Sequence, residues 1–155
     1  MDREEMKQVI ASCELFEGLE NSDIDKIINL CREKTFNVGE YIFHQGDSGE
    51  HLYIIIEGQV MLERAINLGI RKGIVSMGIL GQGHVLGSWS LLLDRSSLLL
   101  SSTLCQKTTR TLAMRGADLR NLMLINKDFG FNILEKLCFL LKDRIQAAFG
   151  AMEKI

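Results

Sequence analysis

The chain has no proline among its 155 residues. Its tight turns must therefore be made by glycine or by short polar residues, and no stiff Pro-rich linker divides it. Aromatics are sparse, at 6% of positions with one tryptophan, Trp89. Positive charge is never concentrated. Lys7, Arg32, Arg64, Arg71, Lys107, Arg120 and Lys142 are scattered and the net charge is -2, which argues against a surface made to wrap nucleic acid. Apolar runs such as Leu52 to Ile56 and Leu98 to Leu100 fall far short of the roughly 20 residues that cross a bilayer. The polar, acidic start Met1-Asp2-Arg3-Glu4-Glu5 is unlike a secretory leader. The four cysteines, Cys13, Cys31, Cys105 and Cys138, include no C-x-x-C pair and no His at zinc-ligand spacing. They are expected to be reduced core thiols of a cytoplasmic protein.

With 46% hydrophobic and 25% charged residues, the composition is that of an ordinary folded domain. The length fits one domain, expected to span residues 1–155. Residues 4 to 13 carry a short helical pattern. Ser22-x-x-Asp25 then reads as a capping box, followed by apolar residues at helical spacing, Ile24, Ile27, Ile28 and Cys31. These make up an N-terminal helical section, 1–34. From Thr35 the period changes, and up to Arg115 short strands alternate with glycines, as in Val38-Gly39, Tyr41 to Phe43, Gly46, Gly49 and Leu52 to Ile56. Glu57-Gly58, between apolar runs, predicts a tight hairpin. Residues 64 to 73 read as a loose polar tip, and Gly81-Gln82-Gly83 as a further turn after the strand Ile74 to Leu80. After Gly116 the helical period returns, in Asp118 to Asn126 and in a long run from Phe129 to Met152. The predicted fold is thus mainly β with flanking helices: a double-stranded β-helix or jelly roll over 35–115, preceded by N-terminal helices and closed by a long C-terminal helix within 116–155.

In that last helix Leu134, Cys138, Leu141, Ile145, Ala148 and Met152 recur at alternating steps of four and three. Such a seam suits a second helix, and hence a homodimer, but it also suits packing on the chain's own roll. Ile133, Leu137, Leu140 and Phe149 supply a second apolar face, so both can hold together.

The residues give little support to catalysis. His44, His51 and His84 contain no His-x-His pair and are expected to flank turns. No serine sits in a G-x-S-x-G elbow, no cysteine has a basic polar neighbourhood, and Gly81-Gln82-Gly83 lacks a phosphate-loop continuation. The chain is therefore not expected to be an enzyme, and no metal site is expected.

Four fragments resemble one family. Leu15-Phe16-Glu17-Gly18-Leu19, Val38 to Asp47, Leu52 to Val60 and Leu80 to Gly87 together are similar to the cyclic-nucleotide-binding domain, over about residues 14 to 145. The resemblance implies a catabolite-activator-like roll. In it, a short helix after Gly87 offers backbone N–H groups to an exocyclic phosphate, an Arg grips that phosphate, and a Glu takes a ribose hydroxyl. Here the Glu position is Ser88, and Ser97, Leu98 and Leu99 stand near where the Arg is expected. The cassette residues implied are Gly87, Ser88, Trp89, Ser90, Arg95 and Ser97. Arg95 is either a displaced phosphate ligand or part of an exposed turn with Asp94. Trp89 either plugs the cavity or packs on the core, or else stacks on a ligand, while Ser88 and Ser90 serve as helix N-caps or as ligand hydroxyls. The run Leu98-Leu99-Leu100 is expected to bring aliphatic side chains into the phosphate space.

The function implied is a regulatory module with a degenerate phosphate-binding cassette. It would bind a cyclic nucleotide or another small anionic ligand, with no other cofactor, and signal through its C-terminal helix. The alternative is a ligand-free interaction or dimerisation module on the same fold. The expected partner is a second copy through that helix or another protein, with no membrane contact. Bacterial relatives carry a DNA-reading helix-turn-helix after the long helix; this chain ends at Ile155, so no direct DNA binding is expected. The remaining reading is a piece of a longer regulator or channel.

Overall fold

The computed structural model describes residues 1–92 and 99–154. Helices α1 (Arg3–Ser12) and α2 (Asn21–Ile28) lead into the strands β1 (Arg32–Phe36), β2 (Tyr41–Phe43), β3 (His51–Glu57), β4 (Val60–Asn67), β5 (Lys72–Leu80) and β6 (Val85–Leu86). One turn of 3-10 helix, Ser88–Leu91, precedes β7 (Ser102–Cys105) and β8 (Thr109–Arg115), and the chain closes with α3 (Gly116–Ile125) and α4 (Lys127–Met152). The strands form two antiparallel sheets, ordered β1-β8-β3-β6 and β2-β7-β4-β5. This is the predicted roll between helical flanks.

The apolar run in β3 follows from its position. Side chains alternate along a strand, so a strand covered on both faces reads as continuous hydrophobicity. Leu52, Ile54 and Ile56 join a core with Ile10, Phe16 and Ile27 of the N-terminal section and Leu119, Ile133 and Leu137 of α3 and α4. Tyr53 and Ile55 point the other way, into the roll, beside Phe36, Val60, Leu62 and Leu80.

Several local expectations are corrected. Glu57-Gly58 does not make a hairpin, because β3 and β4 belong to different sheets and do not pair. It is a corner where the chain changes sheet. Gly58 has φ 114°, and a Cβ there would lie 2.5 Å from the Thr109 hydroxyl oxygen, so both backbone shape and crowding demand glycine. The true hairpin joins β4 to β5, paired from Val60↔Leu80 out to Asn67↔Lys72. Most of the predicted loose tip is thus paired strand, and only Leu68 to Arg71 turn, with the Leu68 N–H donating to the Arg71 carbonyl at 2.7 Å. The period was blurred because the hairpin's outer end is exposed, with Ile70 and Ile74 in solvent.

The roll opens at Arg32, slightly ahead of Thr35. β1 is an edge strand that buries only Phe36, so its polar residues show no alternation. The Ser22-x-x-Asp25 capping box does not form. α2 opens at Asn21 after Glu20, which puts Ser22 inside the first turn. A capping box exists instead on α1, where the Glu5 N–H donates to Asp2 Oδ1 at 2.8 Å and the Asp2 N–H to Glu5 Oε2 at 3.4 Å. Cys13 and Cys105 are buried and Cys31 partly so, but Cys138 is exposed on the outer side of α4 and is not a core residue. All four are free thiols.

Candidate functional site: a cavity between the roll and the last helix

The site starts at the end of β6. Gly87 takes φ 75°, and a Cβ there would stand 2.3 Å from the His51 carbonyl oxygen, so only glycine lets the chain pass the start of β3 and turn. The 3-10 turn that follows is closed by Ser90 N–H donating to the Gly87 carbonyl at 3.0 Å. It is held from outside by α3. Gly116 lies so close to the Ser90 backbone that a Cβ would sit 2.2 Å from its carbonyl oxygen, and Arg120 Nη1 donates to the Leu91 carbonyl at 2.9 Å.

Neither serine caps the turn. The cap residue is Gly87, and no side chain caps it. Ser90 is 2% exposed and its hydroxyl has no partner among the described residues. Ser90 turns under α3, away from the cavity, whereas Gly87, Ser88 and Trp89 line it. Arg95 and Ser97 lie outside the described residues.

The cavity has a volume of about 400 Å³. Its inner wall is the roll interior, with Phe43, Leu62, Met77, Leu80 and Leu86, and Leu99, Leu100 and Ser101 also line it. Of the run expected to bring aliphatic side chains inward, Leu99 and Leu100 line the cavity, and Leu98 lies outside the described residues. The remaining wall is α4, through Leu140, Leu141, Arg144, Ile145 and Ala148. The helical seam is therefore divided. Leu141, Ile145 and Ala148 face the chain's own cavity, while Leu134, Cys138 and Met152 are exposed. Ile145 does both, lining the cavity yet remaining 53% exposed. On the second apolar face Ile133, Leu137 and Leu140 are buried as expected, but Phe149 is exposed.

Two guanidinium groups reach this cavity, and the sequence reading missed both. Arg144 Nη2 bonds Glu14 Oε1 at 3.0 Å and the Val85 carbonyl at 3.4 Å, and Glu14 Oε1 also accepts the Val85 N–H at 2.8 Å. That cluster ties α4 to β6 and the loop after α1. Arg64 donates to the Leu100 carbonyl, and among the described residues it has no carboxylate partner. A signal for Arg64 did exist: Val60-x-Leu62-x-Arg64 keeps a period of two, which carries the inward face of β4 to the arginine.

Other reactive groups stand apart. Burial pushes the Cys13 thiol up to about 11 and the Cys31 thiol up to about 12, so neither is a nucleophile at neutral pH. His44 stacks on Tyr41 with ring centroids 4.6 Å apart, and His84 Nδ1 lies 3.1 Å from the Gly81 carbonyl. No group of three or more His, Cys, Asp or Glu among the described residues is placed to hold a metal. No helix among them is long and apolar enough to cross a membrane.

The sequence pattern of the cyclic nucleotide-binding domain matches residues 33–126, more than half of the chain. The chain belongs to the cyclic nucleotide-binding domain family. It is 35% identical over 78 residues to the Cyclic AMP receptor protein of Thermus thermophilus, a match that covers 50% of this chain and 35% of that protein. The chain thus spans well under half the length of the curated relatives it matches. A cyclic nucleotide-binding domain from Methylobacillus flagellatus superposes with a TM-score of 0.79 at 20% identity, over 98% of this chain and 83% of that one. The regulatory subunit of a cAMP-independent protein kinase A from Trypanosoma cruzi, bound to guanosine, gives 0.77 at 20% identity, over 98% and 50%. At such identities the likeness is one of fold. The family match at residues 33–126 includes Gly87, Ser88 and Trp89 at the cavity edge.

Proposed function

We propose that the chain is a regulatory module which holds a small molecule in the roll cavity and reports occupancy through α4. One observation carries the reading: the cavity edged by Gly87, Ser88 and Trp89 has α4 as a wall, so an occupant that fills it meets Leu141, Ile145 and Ala148. A ligand moves α4 only to the extent that it binds one helix position better than another. The cassette is degenerate. Losing a charge-assisted contact typically costs about 1.5–3 kcal/mol, or one to two decades of affinity, so an ordinary cyclic nucleotide is expected to bind weakly. The relative bound to guanosine lends support to a ligand without a phosphate.

The signal would pass to a second copy of the chain. Leu134, Cys138 and Met152 leave the outer part of the seam uncovered, continuous with the cavity wall at Ile145. A ligand-free interaction module is the second reading, favoured by further exposed apolar groups on α4, Phe131, Phe139 and Phe149.

Titration with cyclic AMP, cyclic GMP, cyclic dinucleotides and guanosine, followed by Trp89 fluorescence and melting temperature, tests the two. Saturable stabilisation supports the sensor, and flat curves to millimolar ligand support the interaction module. Light scattering on wild type and on Leu134→Glu tests the dimer, and a monomeric wild type removes it.

A further inference from the structure

We propose that the cavity takes an amphipathic monoanion, an apolar chain or ring body with one anionic head, and that Arg64 of β4 is its counter-ion. This rests on the cavity being a ligand site, and it narrows the ligand by the chemistry of the wall.

The wall is mostly hydrocarbon. Among the described residues its polar side chains are Arg64, Ser88, Trp89, Ser101 and Arg144. A nucleotide would bring ribose hydroxyls, a polar base edge and a phosphate into this space. Most of those atoms would lose water without gaining a partner. An apolar body loses nothing by the same transfer, and a volume of about 400 Å³ lies in the range of ordinary small-molecule sites.

The two guanidiniums are not equivalent. Arg144 is already neutralised by Glu14 at 3.0 Å. Arg64 meets a carbonyl dipole from Leu100 and no carboxylate among the described residues, so it keeps a full positive charge at the cavity edge. A guanidinium there favours a planar oxyanion held by two parallel hydrogen bonds. The inward residues of β4 step from Leu62 to Arg64, which separates an apolar end of the cavity from a cationic one. A head beside Leu100 and Ser101 would leave its tail on Leu62 and Leu80, under Leu140 and Leu141. The charge that the family places in its cassette would thus be supplied from a different strand.

The test uses the intact chain and the probes decanoate, decanol and cyclic AMP, read by Trp89 fluorescence and melting temperature. Decanoate is expected to saturate, to bind roughly tenfold or more tighter than decanol, and to outrank cyclic AMP. Arg64→Gln is expected to abolish the preference for decanoate over decanol while leaving decanol binding in place, and Arg64→Lys to restore part of it. Ala148→Phe, which crowds the α4 wall, is expected to weaken both chain compounds together.

Decanoate held equally well by Arg64→Gln, or unaffected by Ala148→Phe, overturns the assignment. Should Arg64→Gln fail to fold, the wild-type ranking of the three probes decides instead. Cyclic AMP binding with no response to decanoate overturns the monoanion and leaves the sensor reading intact. Silence from every probe removes both.

Discussion

The chain has two apolar interiors that share a strand. On one face of β3, the core against the helices is filled: Phe16, Ile27, Ile54, Leu112, Leu119 and Ile133 are all 0% exposed. On the other face, the interior between the sheets is bounded by fewer large side chains and opens into a hollow of about 400 Å³. Protein interiors are normally close-packed, so a void with an apolar wall forgoes contacts that filling would supply. The difference separates two tasks. Stability resides where helices cover the β1-β8-β3-β6 sheet, and the function proposed above places the ligand in the hollow on the other side of β3.

Substitutions should break this contrast if it is wrong. The largest effect is expected for Phe16→Ala, which opens a hole in the filled core and should cost about 3–5 kcal/mol in urea unfolding. Gly87→Ala comes next. A residue with a Cβ would be strained at φ 75° and pressed on the His51 carbonyl, at a cost of roughly 1–3 kcal/mol, and the response of Trp89 to ligand should change with it. Leu62→Ala enlarges a space that is already open, and should cost about 2 kcal/mol or less. If it matches Phe16→Ala, the inner core is as well packed as the outer one. Ser90→Ala removes a buried hydroxyl that has no partner among the described residues, so its change should stay within about 1 kcal/mol and can be stabilising.

The smallest effect at neutral pH is expected from the thiols. Cys138 should be alkylated in the native chain, while Cys13 and Cys31 react only after unfolding, as mass spectrometry would count. The burial that raises these two thiols also sets a sign for alkaline pH. Their contribution is complete below the unfolded thiol value of 9.0 and is lost as pH rises through about 11 for Cys13 and about 12 for Cys31. The urea midpoint should therefore fall between pH 8 and pH 10.5, and less so in Cys31→Ala.

Much of the architecture was readable from local pattern. The change of period near Thr35 and its return after Gly116 marked the roll and its flanks to within a few residues, because alternation and helical spacing are properties of neighbouring positions. The misreadings have a common cause. Glu57-Gly58 has the chemistry of a tight turn, yet which strand lies beside β3 was settled by β8, far along the chain. Ser22 and Asp25 have capping-box spacing, yet the N-cap of α2 is Glu20, two residues earlier.

For the site, the resemblance led to Gly87, Ser88 and Trp89, all of which line the cavity. Arg64 was passed over despite its period-two place after Val60 and Leu62, and Arg144 gave no signal, because isolated cations in amphipathic segments are usually solvated. The seam on α4 was correctly seen as apolar, but its periodicity could not say that Leu141, Ile145 and Ala148 turn inward while Leu134 and Met152 stay out.

By itself the sequence determined the order of elements and the apolar run that becomes β3. Tertiary structure alone decided that Phe43, Arg64, Gly87, Leu100 and Ile145 share one cavity. Spacing along a chain governs which face a residue takes within its own element, whereas a cavity depends on how distant elements close on one another, and that is set by long-range strand pairing and by the docking of α4.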